Sequence, residues 1–131
     1  MAAASMFGFE GRMRRSRWWL TQIALLLGPG VVFVGAVYAT SALERTVALQ
    51  AIVGVAATVA LGVIVWVNLA ASVRRLHDQN MSGWFYLLNL IPFIGQFVTL
   101  ALLGFRDSTR GANRFGPSLK YPGPAVADTF D

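Results

Sequence analysis

Three long runs without a charged residue constrain this chain more than any other feature. No Asp, Glu, Lys or Arg falls between Trp18 and Leu43, between Thr46 and Val73, or between Gln79 and Phe105. Each run exceeds the roughly 20 apolar residues that cross a hydrocarbon core of about 30 Å. Helices of a soluble domain keep a solvent face and scatter charges along it. Here 56% of the residues are hydrophobic and 13% charged, too few polar side chains to clothe such a domain. The expected class is an all-α integral membrane protein. It has two full transmembrane helices and a third hydrophobic segment broken by Pro and Gly. One membrane domain covers 1–131: a basic lead (1–17), a membrane region (18–105) and a polar Gly/Pro-rich tail (106–131).

The first run predicts a helix from about Trp18 to Thr40, kinked at Gly28-Pro29-Gly30 because Pro29 lacks an N–H. Trp18 and Trp19 fall where an aromatic belt residue belongs. A cleaved signal peptide is the competing reading. The apolar stretch is longer than the roughly 7–15 residues of such a region. The second run predicts a helix from about Val47 to Val73. Gly54, Thr58 and Gly62 share one face, at a spacing that lets helix backbones approach closely. Asn68 should face protein or water, since an unpartnered amide in hydrocarbon is costly.

The third run has two readings. Residues 84–105 form one span, or a re-entrant hairpin that turns at Pro92-Phe93-Ile94-Gly95. The charges favour the hairpin. Arg12, Arg14, Arg15 and Arg17 precede the first helix, Glu44 and Arg45 form the first loop, and Arg74 and Arg75 follow the second helix. Arg106, Arg110, Arg114 and Lys120 lie in the tail. Basic segments stay on the cytoplasmic side. With the N-terminus cytoplasmic, a hairpin keeps all three there. The arginines flank apolar runs, so the net charge of +5 fits membrane orientation and anionic headgroups rather than nucleic acid.

The chain has no cysteine, which excludes disulfides and thiolate chemistry. It has no P-loop, no Gly-x-Ser-x-Gly elbow and no His-Glu-x-x-His. No enzyme, cofactor or metal is expected. Arg74-Arg75-Leu76-His77-Asp78 holds the sole histidine beside an acid. Asp78 can orient His77 as a relay or ligand needs, but one His and one Asp make no metal site. Pairing and capping at a helix end is the plainer account. Ser82 suits a helix cap ahead of Gly83-Trp84. Asn113-Arg114-Phe115-Gly116-Pro117 reads as a turn.

Taken in order, these motifs resemble a family of small bacterial inner-membrane proteins known as domain of unknown function 805. Gly11-Arg12 with Arg15 and Trp19, Arg74 to Asp78, Ser82-Gly83-Trp84, Ile91 to Gly95 and Asn113 to Gly116 carry the likeness. Met81 departs from it, since similar sequences usually have a basic or polar residue there. The resemblance implies an inner-membrane location and a compact helical fold, but no activity. It implies that the motif residues belong to one site. The candidate lipid- or partner-binding residues are Arg12, Arg15, Arg74, Arg75, His77, Asp78, Asn113 and Arg114. Expected partners are the bilayer and its anionic phospholipid, with a second copy or another membrane protein as further possibilities. Two other functions stay open: a proton-coupled transporter using His77 and Asp78, and a stabilising subunit of a larger complex.

Overall fold

The computed structural model describes residues 6–42 and 46–121. The chain forms helix α1 (Arg15–Ala42), helix α2 (Val47–Asp78), a 3₁₀ arm (Gly83–Leu90) and helix α3 (Ile94–Gly104). Among the described residues there is no strand, only a tight turn in which Asn113 and Gly116 exchange backbone hydrogen bonds. The first loop, with Glu44 and Arg45, lies outside the described residues.

Helix α2 opens at Thr46, whose hydroxyl accepts the Leu49 N–H at 3.2 Å. It does not stop at Val73 but continues through the charged motif to Asp78. Cations in a last turn are stabilised by the negative end of the helix dipole. Arg75 and His77 stand there. The chain then turns at Asn80, with φ 57°, a left-handed conformation that Asn tolerates.

Helix α1 is continuous through Pro29 and lies antiparallel to α2. Met13 N–H donates to the Arg74 carbonyl, Trp18 Nε1 to Ser72 Oγ, and Gln22 Nε2 to Asn68 Oδ1. Asn68 therefore faces protein. Trp18 corrects the belt expectation: it is 4% exposed, packed with Met13, Ala71, Leu76 and Leu103 in the core. Trp19 packs against that core.

The third run is a hairpin. The first residue of the 3₁₀ arm, Gly83, lies against Val73. Its last turn returns to the same end of α2, where Arg75 Nε donates to the Leu103 carbonyl at 2.9 Å. A single crossing would leave those ends a full helix length apart. The chain reverses at Ile91-Pro92-Phe93, with Ile94 N–H on the Pro92 carbonyl and Gly95 N–H on that of Ile91. Phe93 takes φ 61°. The return helix begins at Ile94, so Ile94 and Gly95 belong to α3 rather than to the turn. Gly95 must be glycine: a Cβ there would lie 1.8 Å from the Leu88 carbonyl oxygen. The arms are 8 and 11 residues long. At the 3₁₀ and α rises, each reaches about 16 Å, half a bilayer core.

The core occupies one end of the molecule. From Val47 to Trp66, roughly 20 residues or about 30 Å of helix, α2 has no buried residue. Beyond Trp18, α1 has none either. Both long helices are apolar enough to cross a membrane.

Candidate functional site

The packed end is organised around one carboxylate. Asp78 is fully buried. Its Oδ1 accepts Arg12 Nε at 2.8 Å, and its Oδ2 accepts Arg75 Nη1 at 2.6 Å. Ser108 Oγ also donates to Oδ2. Arg12 arrives from the lead, Arg75 and Asp78 from the last turn of α2, and Ser108 from the tail. Three segments of sequence thus close on one anion.

Two cations and one anion leave a surplus positive charge among buried side chains. Carbonyl oxygens offset it. Arg12 donates to the carbonyls of Asp78, Thr109, Gly111 and Gly116. Arg75 donates to those of Met13, Leu103 and Arg106. Asp78 ends α2, while Leu103 and Arg106 lie at the end of α3. Both helices therefore aim their negative dipole ends at buried guanidinium groups. A buried ion pair of this kind persists only when its remaining donors are also satisfied.

The same acceptors explain why α3 returns here. The last four carbonyls of a helix have no partner inside it. At the end of α3 they are taken one after another by side chains from other segments. Gln79 donates to Leu102, Arg75 to Leu103, Trp19 to Gly104 at 3.0 Å, and Arg15 to Phe105 at 3.3 Å. Gly104 fits beneath Trp19, whose ring would sit 2.7 Å from an added Cβ. The arginine motif is a clamp on the hairpin's return arm.

His77 and Asp78 do not pair. Neighbours on a helix point about 100° apart. His77 Nδ1 lies 3.1 Å from the Gly11 carbonyl, and its ring stacks on Phe115 at 3.8 Å and 4°. Asn113 Nδ2 donates to the His77 carbonyl, and Arg114 lies over the outer face of Phe115 at 4.7 Å. Gly11 and Gly116, with φ of 87° and 133°, make the bends that bring these carbonyls inward.

The span that holds this arrangement, Gly11 to Gly116, coincides with a known family's extent. Residues 6–117 match the family described as a protein of unknown function, DUF805. The chain belongs to the DUF805 family. Inner membrane protein YhaH of Escherichia coli K12 is 33% identical over 115 residues, covering 86% of this chain and 88% of the relative. Inner membrane protein YhaI of the same strain is 32% identical over 126 residues, 87% of each. No solved structure matches.

Within this DUF805 chain, Arg12, Arg75 and Asp78 meet at the centre, and Arg15 joins through the end of α3. His77, Asn113 and Arg114 form a second layer around Phe115. Arg74 faces elsewhere. Sequence reasoning missed Gln79, Ser108 and Thr109. Gln79 directly follows the arginine motif, and its amide continues the row of carbonyl caps. Ser108 and Thr109 carry no spacing signal, since they meet Asp78 only through the fold. Among the described residues no three His, Cys, Asp or Glu side chains are placed to hold a metal ion. Both oxygens of Asp78 are occupied, so it offers no free base.

At the rim, Asp107 bonds Lys120 and Tyr121. The Lys120 ammonium and the Tyr121 hydroxyl hold the Asp107 carboxyl below the usual carboxylate range, and Asp107 in turn raises Lys120.

Proposed function

We propose that this DUF805 protein is a small, non-enzymatic, multi-pass inner-membrane protein whose basic cytoplasmic rim engages anionic lipid headgroups. Segregation of charge carries the reading. Arg12, Arg14, Arg15, Arg17, Arg74, Arg75, Arg106, Arg110, Arg114 and Lys120 all belong to the packed end, ten of the chain's eleven cations. Arg45 is the eleventh. The helices leading away from that end expose Leu26, Val31, Val32, Phe33, Ile52 and Val55 at 65% or more. Apolar surface of this extent needs a nonaqueous neighbour. In this setting α1 and α2 span the bilayer and the hairpin dips halfway in, returning the tail to the cytoplasmic side. Positive-inside bias supports that orientation.

Arg12 and Arg75 have their donors occupied internally, so the rim's free cations are the exposed ones. The variant Arg14→Gln, Arg110→Gln, Arg114→Gln removes three of them without touching the clamp. Each cation near an anionic surface contributes about 1 kcal/mol of attraction. Quantifying lipid that co-purifies with wild type and triple variant should show depletion of phosphatidylglycerol and cardiolipin relative to phosphatidylethanolamine. Equal retention overturns the lipid reading and leaves a partner protein. A reporter fused after Asp131 tests topology: an outward C-terminus rejects the hairpin placement.

The transport alternative draws less support. It needs His77 and Asp78 on one proton path, and Asp78 is closed off by two arginines. The subunit alternative rests on Gly54 and Gly62, where an added Cβ would meet nothing within 4 Å.

A further inference from the structure

We infer that this chain is a one-sided wedge: it occupies more cross-section in the cytoplasmic leaflet than in the outer one, and therefore favours bilayers whose cytoplasmic leaflet is convex. The inference rests on the hairpin placement proposed above and gives that placement a function, a preference for membrane of one curvature.

Two helices alone fill the outer half. From Val47 to Trp66 α2 has no buried residue, and beyond Trp18 neither has α1. Among the described residues, the bonds that tie lead and tail to α2 all fall at Trp66 or closer to Asp78. The hairpin stays on that side as well. Its first arm starts against Val73. Arms that reach about 16 Å pass no more than about 11 residues of a neighbouring helix, which ends them by the level of Gly62.

The inner half holds four segments: α1, α2, the 3₁₀ arm and α3. The lead adds to them. The Phe7 carbonyl accepts Trp66 Nε1 at 3.0 Å, and the Phe9 ring meets the Trp66 ring edge-on at 5.1 Å. The hairpin's surface is suited to lipid. Leu90, Phe93, Ile94 and Phe97 are 69–77% exposed, and no charged residue lies from Gln79 to Phe105. Water around such a surface is costly. A helix with its side chains is about 10–12 Å across, or roughly 80–110 Å² in section, so two added segments come close to doubling what α1 and α2 occupy. All of that area is added to one leaflet. The leaflet takes it up with least compression where it is the convex one, and insertion confined to one leaflet is curvature-sensitive for this reason. The result is the same whether the arms run steeply or lie shallow, because in both cases they displace lipid only there.

The experiment uses the absence of cysteine. Ser41→Cys puts a single thiol at the exposed outer end of α1, where the serine bonds only the Tyr38 carbonyl of its own helix. Full-length protein with a fluorophore on that thiol is reconstituted into phosphatidylethanolamine–phosphatidylglycerol vesicles of about 30 nm and about 200 nm, a range over which one-sided insertion responds to curvature. Protein per lipid is read vesicle by vesicle, and a membrane-impermeant quencher reports which way each molecule points. Molecules with the packed end outward have a protected label. They should be at least about twofold denser in the small vesicles than in the large ones, as insertion into the convex leaflet requires. Molecules with the packed end inward should be sparser in the small vesicles. Equal densities in both sizes overturn the wedge, and so does the same preference in both orientations, which marks a general affinity for loosely packed lipid. The hairpin placement fails on a different result, a reporter after Asp131 on the outer side of the membrane.

Discussion

The two halves of α2 are made by one continuous helix and solve opposite problems. From Val47 to Trp66 no side chain is buried, and the side chains are almost all apolar. From Val67 to Asp78 eight residues are buried, and Ser72, Arg74, Arg75 and Asp78 are among them. The outer half needs no internal partner because a helix satisfies its own backbone, which suffices in lipid. The inner half carries charge into the fold, where Arg75 finds an acceptor for every guanidinium nitrogen and Asp78 a donor for each oxygen. Stability within this chain is therefore concentrated at one end, in electrostatics and caps. The other end contributes through the medium around it.

Breaking the carboxylate is the strongest test of that division. Asp78→Asn keeps the shape and removes the one anion shared by Arg12 and Arg75. Unpairing a buried ion pair costs roughly 3–5 kcal/mol. We expect a large drop in melting temperature in detergent and new tryptic cleavage at Arg12, as lead and tail detach. A variant that melts like wild type would mean that packing of Trp18 and Leu103, not charge, holds the inner end.

Glycines sharpen the same comparison with a smaller effect. Gly95→Ala drives a methyl into the Leu88 carbonyl and should open the hairpin. Overpacking costs about 1–3 kcal/mol, occasionally more. Gly62→Ala, in the outer half of α2, meets nothing. Alanine should be neutral or better there, since glycine in a helix is about 1 kcal/mol less favourable. Both are read by thermal melting of the purified variants. A destabilised Gly62→Ala would reveal a second copy packed on that face, and would move part of the stability back to the outer half.

How much of this was legible beforehand differs between the halves in the same way. The outer half follows from hydropathy: the start of α2 at Val47 and the exposed stretch to Trp66 need only a count of uncharged residues. The hairpin follows from Pro92, Gly95 and the placement of arginines, because charge asymmetry is visible in sequence. The clamp was visible only as its letters. The motifs put Arg12, Arg75 and Asp78 in one group, but a headgroup site and an internal ion pair use the same residues. What separates them is whether backbone carbonyls surround the guanidinium, and carbonyl positions are a property of the closed fold. Trp18 differs from its expected place for the same reason: a tryptophan near a helix start reads as a belt residue, and only the closed fold puts Ser72 beside its indole. Ser108 and Thr109 had no signal, since their partner lies about 30 residues earlier in the chain.

The smallest expected effect lies at the rim, where charge meets water. Asp107 pairs with Lys120 through side chains that are 50% and 27% exposed. Solvent and salt screen such a pair, so its worth is small beside Asp78. Its sign with pH is nonetheless fixed. The carboxyl is held below its ordinary value by Lys120 and Tyr121, so the folded form binds a proton less readily than the unfolded chain. The contribution is fully present above the ordinary carboxylate pKa of about 4 and is lost as pH falls below it. Comparing wild type with Asp107→Asn, any difference in exchange protection of the Asn113 amide should be present at pH 7, shrink toward pH 3, and diminish in high salt. A difference that grows on acidification would contradict this account, and would show that Asp107 anchors the tail through something other than its charge.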